Sequence, residues 1–145
     1  MFNKYYDDYH IGDTWNSRGR TITEADIVNF ASLSGDWFPL HTNIEYAKDT
    51  PFKQRIAHGM LVLSIATGLL ELEPGIVVAF YGMDKIRFTN PTFIQDTVSL
   101  NMKVTDKIDK GETGGVIAAE LVVKKQTGEN IIVGGMSMLV KKRKG

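Results

Sequence analysis

Residues 59–70, GMLVLSIATGLL, form the stretch of sequence that decides the fold. A helix built from about residue 59 to residue 71 carries apolar side chains on nearly every side. Such a helix must be buried on most sides, so other elements of the chain have to wrap around it. Ser64, Thr67 and Gly68 interrupt the run, which falls short of the roughly 20 apolar residues of a membrane span.

The second half of the chain supplies the wrapping elements. In residues 97–104, apolar and polar side chains alternate with the period-two pattern of a strand that has one solvent-facing side. Similar runs occupy about residues 76–88, 116–125 and 131–142. The pattern predicts a sheet of long strands.

Short turns are predicted at residues 89–91, 109–111 and 126–128, and successive short connections favour antiparallel hairpins. Gly134-Gly135 inside the last strand predicts a bulge or a tight bend. The resulting fold class is α+β, a curved antiparallel sheet wrapped around one long central apolar helix.

The first half reads as helices and loops after a strand at residues 14–21. Thr23 and Asp26 have the spacing of a capping box and predict a helix that runs to about Leu33 and ends at Ser34-Gly35. A further short helix is expected at residues 43–48.

Composition indicates one globular domain over residues 1–145, because 43% of the residues are hydrophobic and 23% are charged. Seventeen basic residues balance seventeen acidic ones, so we expect neither a nucleic-acid partner nor a membrane partner. The chain has no cysteine, and its acidic, aromatic beginning does not resemble a signal peptide. These features predict a cytoplasmic protein without disulfides.

Residues 35–41, GDWFPLH, place a carboxylate and an imidazole five residues apart across a turn that Pro39 stiffens. Asp36 and His41 could share the proton transfers that add water to a double bond, with both groups acting on the same water molecule. The alternative is structural: Asp36 caps the next turn and His41 is satisfied inside the core.

His58 and Gly59 precede the apolar helix, whose first N–H groups lack partners within the helix and carry partial positive charge. Glycine lets a ligand approach closely, so this helix start could stabilise a thioester carbonyl that becomes enolate-like. Otherwise Gly59 simply permits tight packing and His58 bonds locally. The hydroxyl of Thr67, two turns later, either orients the site or bonds back to the preceding turn.

Other kinds of site find no support in the sequence. The three histidines lack metal-ligand spacing and no cysteine assists them, so no metal site is expected. Neither a phosphate-binding loop nor a nucleophile elbow is present.

Three segments resemble the MaoC-like, or (R)-specific enoyl-CoA hydratase, family: GDWFPLH at 35–41, AHGMLVLSIATGLL at 57–70 and RFTNPTFIQDTVSL at 87–100. The resemblance implies the hotdog fold and reversible syn hydration of a trans-2-enoyl-CoA to the (R)-3-hydroxyacyl-CoA. It makes Asp36 and His41 the catalytic pair and needs no cofactor, since coenzyme A is part of the substrate.

The resemblance also implies substrate contacts from Gly59, Thr67 and His58, with Thr67 where the family often has serine. One position departs from the family: Phe38 stands where asparagine commonly precedes Pro-Leu-His, and we expect it to face the substrate. This departure keeps a non-catalytic acyl-CoA-binding subunit open as an alternative. A hotdog thioesterase is the other alternative. A homodimer or higher homo-oligomer is expected, because a lone sheet of this kind leaves an edge exposed.

Overall fold

The computed structural model describes residues 1–144, in which a sheet of six strands packs against helices. The α-helices are α1 Glu24–Ser34, α2 Pro39–Thr42, α3 Ile44–Lys48 and α4 Gly59–Gly68. The strands are β1 Thr14–Asn16, β2 Arg20–Thr21, β3 Val77–Phe88, β4 Thr97–Asp109, β5 Gly115–Lys125 and β6 Asn130–Val140. Short 3₁₀ turns lie at Tyr6–Asp8 and Gly111–Thr113.

Helix α1 begins and ends where its local sequence predicts. The Thr23 hydroxyl accepts a hydrogen bond from the Asp26 backbone N–H, and the Asp26 carboxylate accepts one from the Thr23 N–H, which completes the capping box. Arg20 also donates two hydrogen bonds to Asp26 and lowers its pKa to about 2. Gly35, at a φ of 78°, ends the helix in the left-handed conformation that favours glycine.

The sheet is antiparallel in the order β1-β4-β5-β6-β3, with β2 also paired to β4. The hairpins β4–β5 and β5–β6 confirm two of the predicted turns. The prediction of a third hairpin at residues 89–91 is wrong, because β3 pairs with β6. The link from β3 to β4 crosses the end of the sheet, where its backbone bonds successively to Ile131, Ala57 and Ile22.

Two other strand predictions differ in detail from the structure. The strand expected over residues 14–21 is divided, because Ser17 bonds to the Leu100 backbone through both its N–H and its hydroxyl and interrupts the ladder. The irregularity expected at Gly134-Gly135 lies on the partner strand: the register of β3 shifts between Asp84 and Arg87, and Lys85 there has a φ of 51°.

Helix α4 is the central helix that the sequence predicts, although it ends at Gly68 and not near residue 71. Its residues Leu61, Val62, Leu63 and Ala66 are buried and belong to one hydrophobic cluster that draws on strands β4, β5 and β6. Met60, by contrast, is 58% exposed. A curved antiparallel sheet around a buried central helix is the hotdog fold, so the expected fold class is confirmed. Among residues 1–144, we find no helix with the length and apolar character needed to span a membrane.

Candidate active site

Asp36 and His41 are positioned by the turn between α1 and α2. Asp36 follows Gly35 directly, and its Oδ1 accepts a hydrogen bond of 3.1 Å from the Phe38 backbone N–H. Pro39 begins α2, a short helix that was not predicted, and the His41 N–H donates a 2.9 Å hydrogen bond to the Phe38 carbonyl. The carboxylate and the imidazole are therefore held by the same small turn.

The imidazole of His41 has one nitrogen committed and one free for chemistry. Its Nδ1 lies 2.8 Å from the Ile56 carbonyl, which can only accept, so Nδ1 carries the proton and Nε2 keeps its lone pair. Burial lowers the pKa of His41, and His58 adds to that effect, against the bond to Ile56 and the charge of Asp36. A lowered pKa keeps His41 neutral, and its Nε2 able to accept a proton, to lower pH than an ordinary histidine.

His58 contacts both members of the pair. Its Nε2 lies 2.9 Å from the backbone carbonyl of Asp36, and its ring stacks on His41 with 3.9 Å between ring centroids and an interplanar angle of 28°. Its Nδ1 is buried without a hydrogen-bond partner. His58 was predicted to contact substrate, whereas its hydrogen bond and its stacking direct the side chain toward the protein itself.

Asp36, His41 and His58 offer polar atoms that all lie within 4.8 Å of one another, close enough for the trio to be considered as metal ligands. Imidazole lone pairs lie in the ring plane, and the planes of the two stacked rings are only 28° apart. Two rings stacked this closely cannot both direct an in-plane lone pair at one ion at a normal metal–nitrogen distance, as tetrahedral zinc ligands do.

Gly59 begins α4 next to this trio, and an apolar cavity of about 270 Å³ opens beside it. A Cβ atom added at Gly59 would lie 2.7 Å from the Phe88 ring, so a larger residue there would force the ring or the helix start to move. Much of the cavity wall is formed by Ile56, Met60, Val62, Phe88 and Ile131.

Thr67 and Phe38 are the two other residues that were predicted to contact the substrate, and each has different surroundings. The Thr67 hydroxyl donates a 2.7 Å hydrogen bond to the Ser64 carbonyl one turn earlier, which is the local alternative considered for it. The Phe38 ring lies edge-on to His41 and to Tyr46, with centroid distances of 6.0 Å, and is 49% exposed. Phe38 therefore borders the pair from the solvent side.

Sequence reasoning missed three contributors to this site. The Ile56 carbonyl fixes the His41 tautomer, but a backbone atom leaves no side-chain signal in a sequence. Phe30 of α1 packs on His58 at a centroid distance of 4.9 Å, and Phe88 packs on Gly59. Their aromatic character was visible, but their neighbours are distant in the chain.

The fold and the site together define a hotdog-fold protein with a carboxylate–imidazole pair at the start of its central helix. Residues 9–126 match the family described as MaoC like domain. The chain belongs to this MaoC-like family, so the predicted family and its hydro-lyase class are confirmed.

Named relatives agree with this assignment. The chain is 40% identical over 101 residues to the (R)-specific enoyl-CoA hydratase of Rhodospirillum rubrum, covering 70% of this chain and 69% of that protein. It is 40% identical over 111 residues to Protein MaoC of Klebsiella aerogenes, covering 75% of this chain but only 33% of the relative. A solved structure described as a monoamine oxidase regulatory protein from Archaeoglobus fulgius superposes with a TM-score of 0.92 at 40% identity, over 98% of this chain and 97% of that one.

Proposed function

We propose that this protein catalyses the reversible syn hydration of a trans-2-enoyl-CoA to the (R)-3-hydroxyacyl-CoA. The main support for the proposal is the proximity of the Asp36 carboxylate and the His41 imidazole. A carboxylate oxygen and a ring nitrogen lie within 4.8 Å of each other, and His41 Nε2 is free to accept a proton. The kinship with a protein named (R)-specific enoyl-CoA hydratase supports the choice of reaction. Metal and redox cofactors have no part in the proposed reaction.

In the proposed reaction, Asp36 and His41 hold one water molecule between them. One group removes a proton as the water oxygen attacks C3 of the enoyl group, and a proton is delivered to C2. The thioester oxygen gains negative charge meanwhile, and the backbone N–H of Gly59 at the start of α4 stabilises it. Water adds across the C2–C3 double bond, and the thioester stays intact.

A panel of enoyl-CoA thioesters of differing chain length and branching tests the proposal. Loss of enoyl absorbance without thiol release, together with formation of the (R)-3-hydroxyacyl product, is the expected result. Release of free CoA would instead indicate a thioesterase. Tight CoA-ester binding without turnover of any panel member would indicate a non-catalytic binding subunit, and either of these results would overturn the proposal.

Gly59→Ala is expected to lower kcat/KM for crotonyl-CoA by about 10²-fold, the usual loss when one oxyanion donor is removed or displaced. The added methyl group would come within 2.7 Å of the Phe88 ring, so the helix start or the ring has to move. Steady-state kinetics and thermal unfolding measure the effect. The matched control is Gly68→Ala, because Gly68 is a helical glycine with open space around its Cβ position. Gly128→Ala is unsuitable as a control, because the φ of Gly128 is 85° and an alanine there would be strained. Equal losses in the two variants would contradict the role of Gly59.

We also propose that the protein assembles as a homodimer through β3. This strand ends the sheet order, so one of its edges is unpaired, and Val78, Phe80 and Tyr81 on it are exposed. An exposed, apolar edge strand is a surface on which a second chain can pair. A second copy paired there would also adjoin Phe88, which borders the cavity at Gly59.

Light scattering is expected to give twice the mass of one chain at micromolar concentration. Phe80→Lys, which places a charge on the exposed strand, is expected to shift the protein toward monomer. The matched control is Leu33→Lys on α1, where the side chain is 86% exposed and belongs to a helix, not to the sheet. A wild-type protein that is monomeric under these conditions would rule out the dimer.

A further inference from the structure

The side chain of His58 is almost fully enclosed, with a relative exposure of 2%. Its Nε2 is used inside the protein, 2.9 Å from the Asp36 carbonyl, and its Nδ1 is buried without a partner. In this arrangement, neither nitrogen is available to a substrate. Its one side-chain hydrogen bond and its stacking contact are instead made to Asp36 and His41, which hold the proposed water.

The hydrogen-bond partners define the proton positions on both imidazoles. A carbonyl oxygen accepts only, so His58 carries its proton on Nε2, as His41 carries one on Nδ1 toward Ile56. The two rings lie 3.9 Å apart, and the Phe30 ring contacts His58 at a centroid distance of 4.9 Å. His58 therefore fills the space between α1 and the imidazole of α2.

His58 is also the residue immediately before α4, so its backbone sits at the start of the helix that Gly59 opens. One residue thus joins the three parts of the site: the backbone of Asp36, the ring of His41 and the start of the central helix. A displacement of about 1 Å in such parts can cost roughly 100-fold in rate, so a residue that fixes all three has a large effect on turnover.

We propose that His58 is a positioning residue: its Nε2–H fixes the backbone of Asp36 and its ring fixes the orientation of His41, so that carboxylate and free Nε2 face one water. This inference rests on the proposed hydration. It assigns His58 a role different from the substrate contact expected from the sequence.

The stacking of His58 on His41 affects the pKa of His41. His58 contributes to the lowered pKa of His41, after burial as the main cause. Removing the imidazole at position 58 while keeping an aromatic ring should raise the pKa of His41 toward its ordinary value. Because the base must be neutral, the acid limb of the kcat/KM profile would then move to higher pH.

Two variants separate the two contacts. His58→Phe keeps a ring that can stack on His41 but lacks the donor to the Asp36 carbonyl. His58→Gln keeps an N–H₂ group near the position of Nε2 but lacks the ring. Each is expected to lower kcat for crotonyl-CoA about tenfold with KM changed less than threefold, and His58→Ala is expected to lower kcat about 100-fold.

The pH profile distinguishes positioning from a merely structural contribution. An upward shift of the acid limb in His58→Phe, with folding intact by circular dichroism, is the expected result. Folded His58→Phe and His58→Gln proteins that both keep the wild-type kcat and acid limb would overturn the inference. His10→Phe is the matched control, since His10 is exposed and lies in the segment before β1.

A readout independent of turnover keeps this test separate from that of the proposed function. In protein labelled with ¹⁵N-histidine, the nitrogen shifts of His41 report its tautomer and its titration midpoint. We expect the Nδ1–H tautomer in the wild type and an upward shift of the midpoint in His58→Phe. If the wild type hydrates no enoyl-CoA but these shifts occur, the hydration proposal fails while the positional role of His58 stands. Unchanged shifts in both His58→Phe and His58→Gln, with kcat also unchanged or with an inactive wild type, would refute that role.

Discussion

Asp36→Asn is expected to lower kcat for crotonyl-CoA hydration by about 10³-fold, because it removes one of the two groups that transfer protons to and from the water. Asparagine is nearly isosteric, and its Oδ1 can still accept the hydrogen bond from the Phe38 N–H. The turn is therefore expected to keep its shape. The variant loses the negative charge and the proton-accepting oxygen, and little else.

The comparison is made by following enoyl absorbance under saturating substrate, with thermal unfolding to confirm that the variant is folded. Asp106→Asn is the matched control, because Asp106 is also exposed and also accepts a backbone hydrogen bond, from Lys107 at 2.7 Å. That control is expected to retain the wild-type rate. Turnover by Asp36→Asn within a few fold of the wild type would remove Asp36 from the mechanism.

The parts of the fold that follow from short-range patterns were predictable from the sequence. The capping box of Thr23 and Asp26 lies within four consecutive residues, and the turn ending at Gly35 needs only a glycine. The apolar character of α4 and the alternation along β4 likewise depend on neighbouring residues. Where the sequence signal is local, the structure agrees with it to within a few residues.

Features that depend on contacts between distant segments were not predictable in the same way. The link after β3 contains Pro91 and looks like a turn, but its length alone does not specify whether β3 pairs with β4 or with β6. The bulge was expected at Gly134-Gly135 because glycine is visible in a sequence, whereas the extra residue belongs to β3 opposite it. Strand partners are set by packing of the whole sheet, which a single strand does not encode.

In the candidate site too, proximity within one turn was predictable from the sequence, whereas contacts between distant segments were not. Asp36 and His41 stand five residues apart on one turn, so their proximity follows from the local sequence. His58 reaches the Asp36 carbonyl across 22 residues, and its stacking on His41 depends on where α4 meets α2. A signal for it did exist, since His58 directly precedes the apolar helix, but that position is equally compatible with a contact to substrate.

His41→Asn is expected to reduce kcat for crotonyl-CoA hydration by 10²- to 10⁴-fold, the range typical of losing a general acid–base group. The amide nitrogen of asparagine falls near the position of Nδ1 and can still donate to the Ile56 carbonyl, at present 2.8 Å away. The substitution thus removes Nε2 but retains the hydrogen bond from residue 41 to Ile56, in the segment that leads into α4. Binding of CoA esters is expected to persist.

Steady-state kinetics, an acyl-CoA binding measurement and a pH profile together test this expectation. The wild-type profile should have an acid limb below the ordinary histidine range, because burial lowers the pKa of His41, and the residual activity of His41→Asn should lack that limb. His10→Asn is the matched control, as an exposed histidine in the segment before β1. A His41→Asn protein that keeps both the rate and the acid limb would show that another group carries the proton, and the paired arrangement of Asp36 and His41 would then be structural.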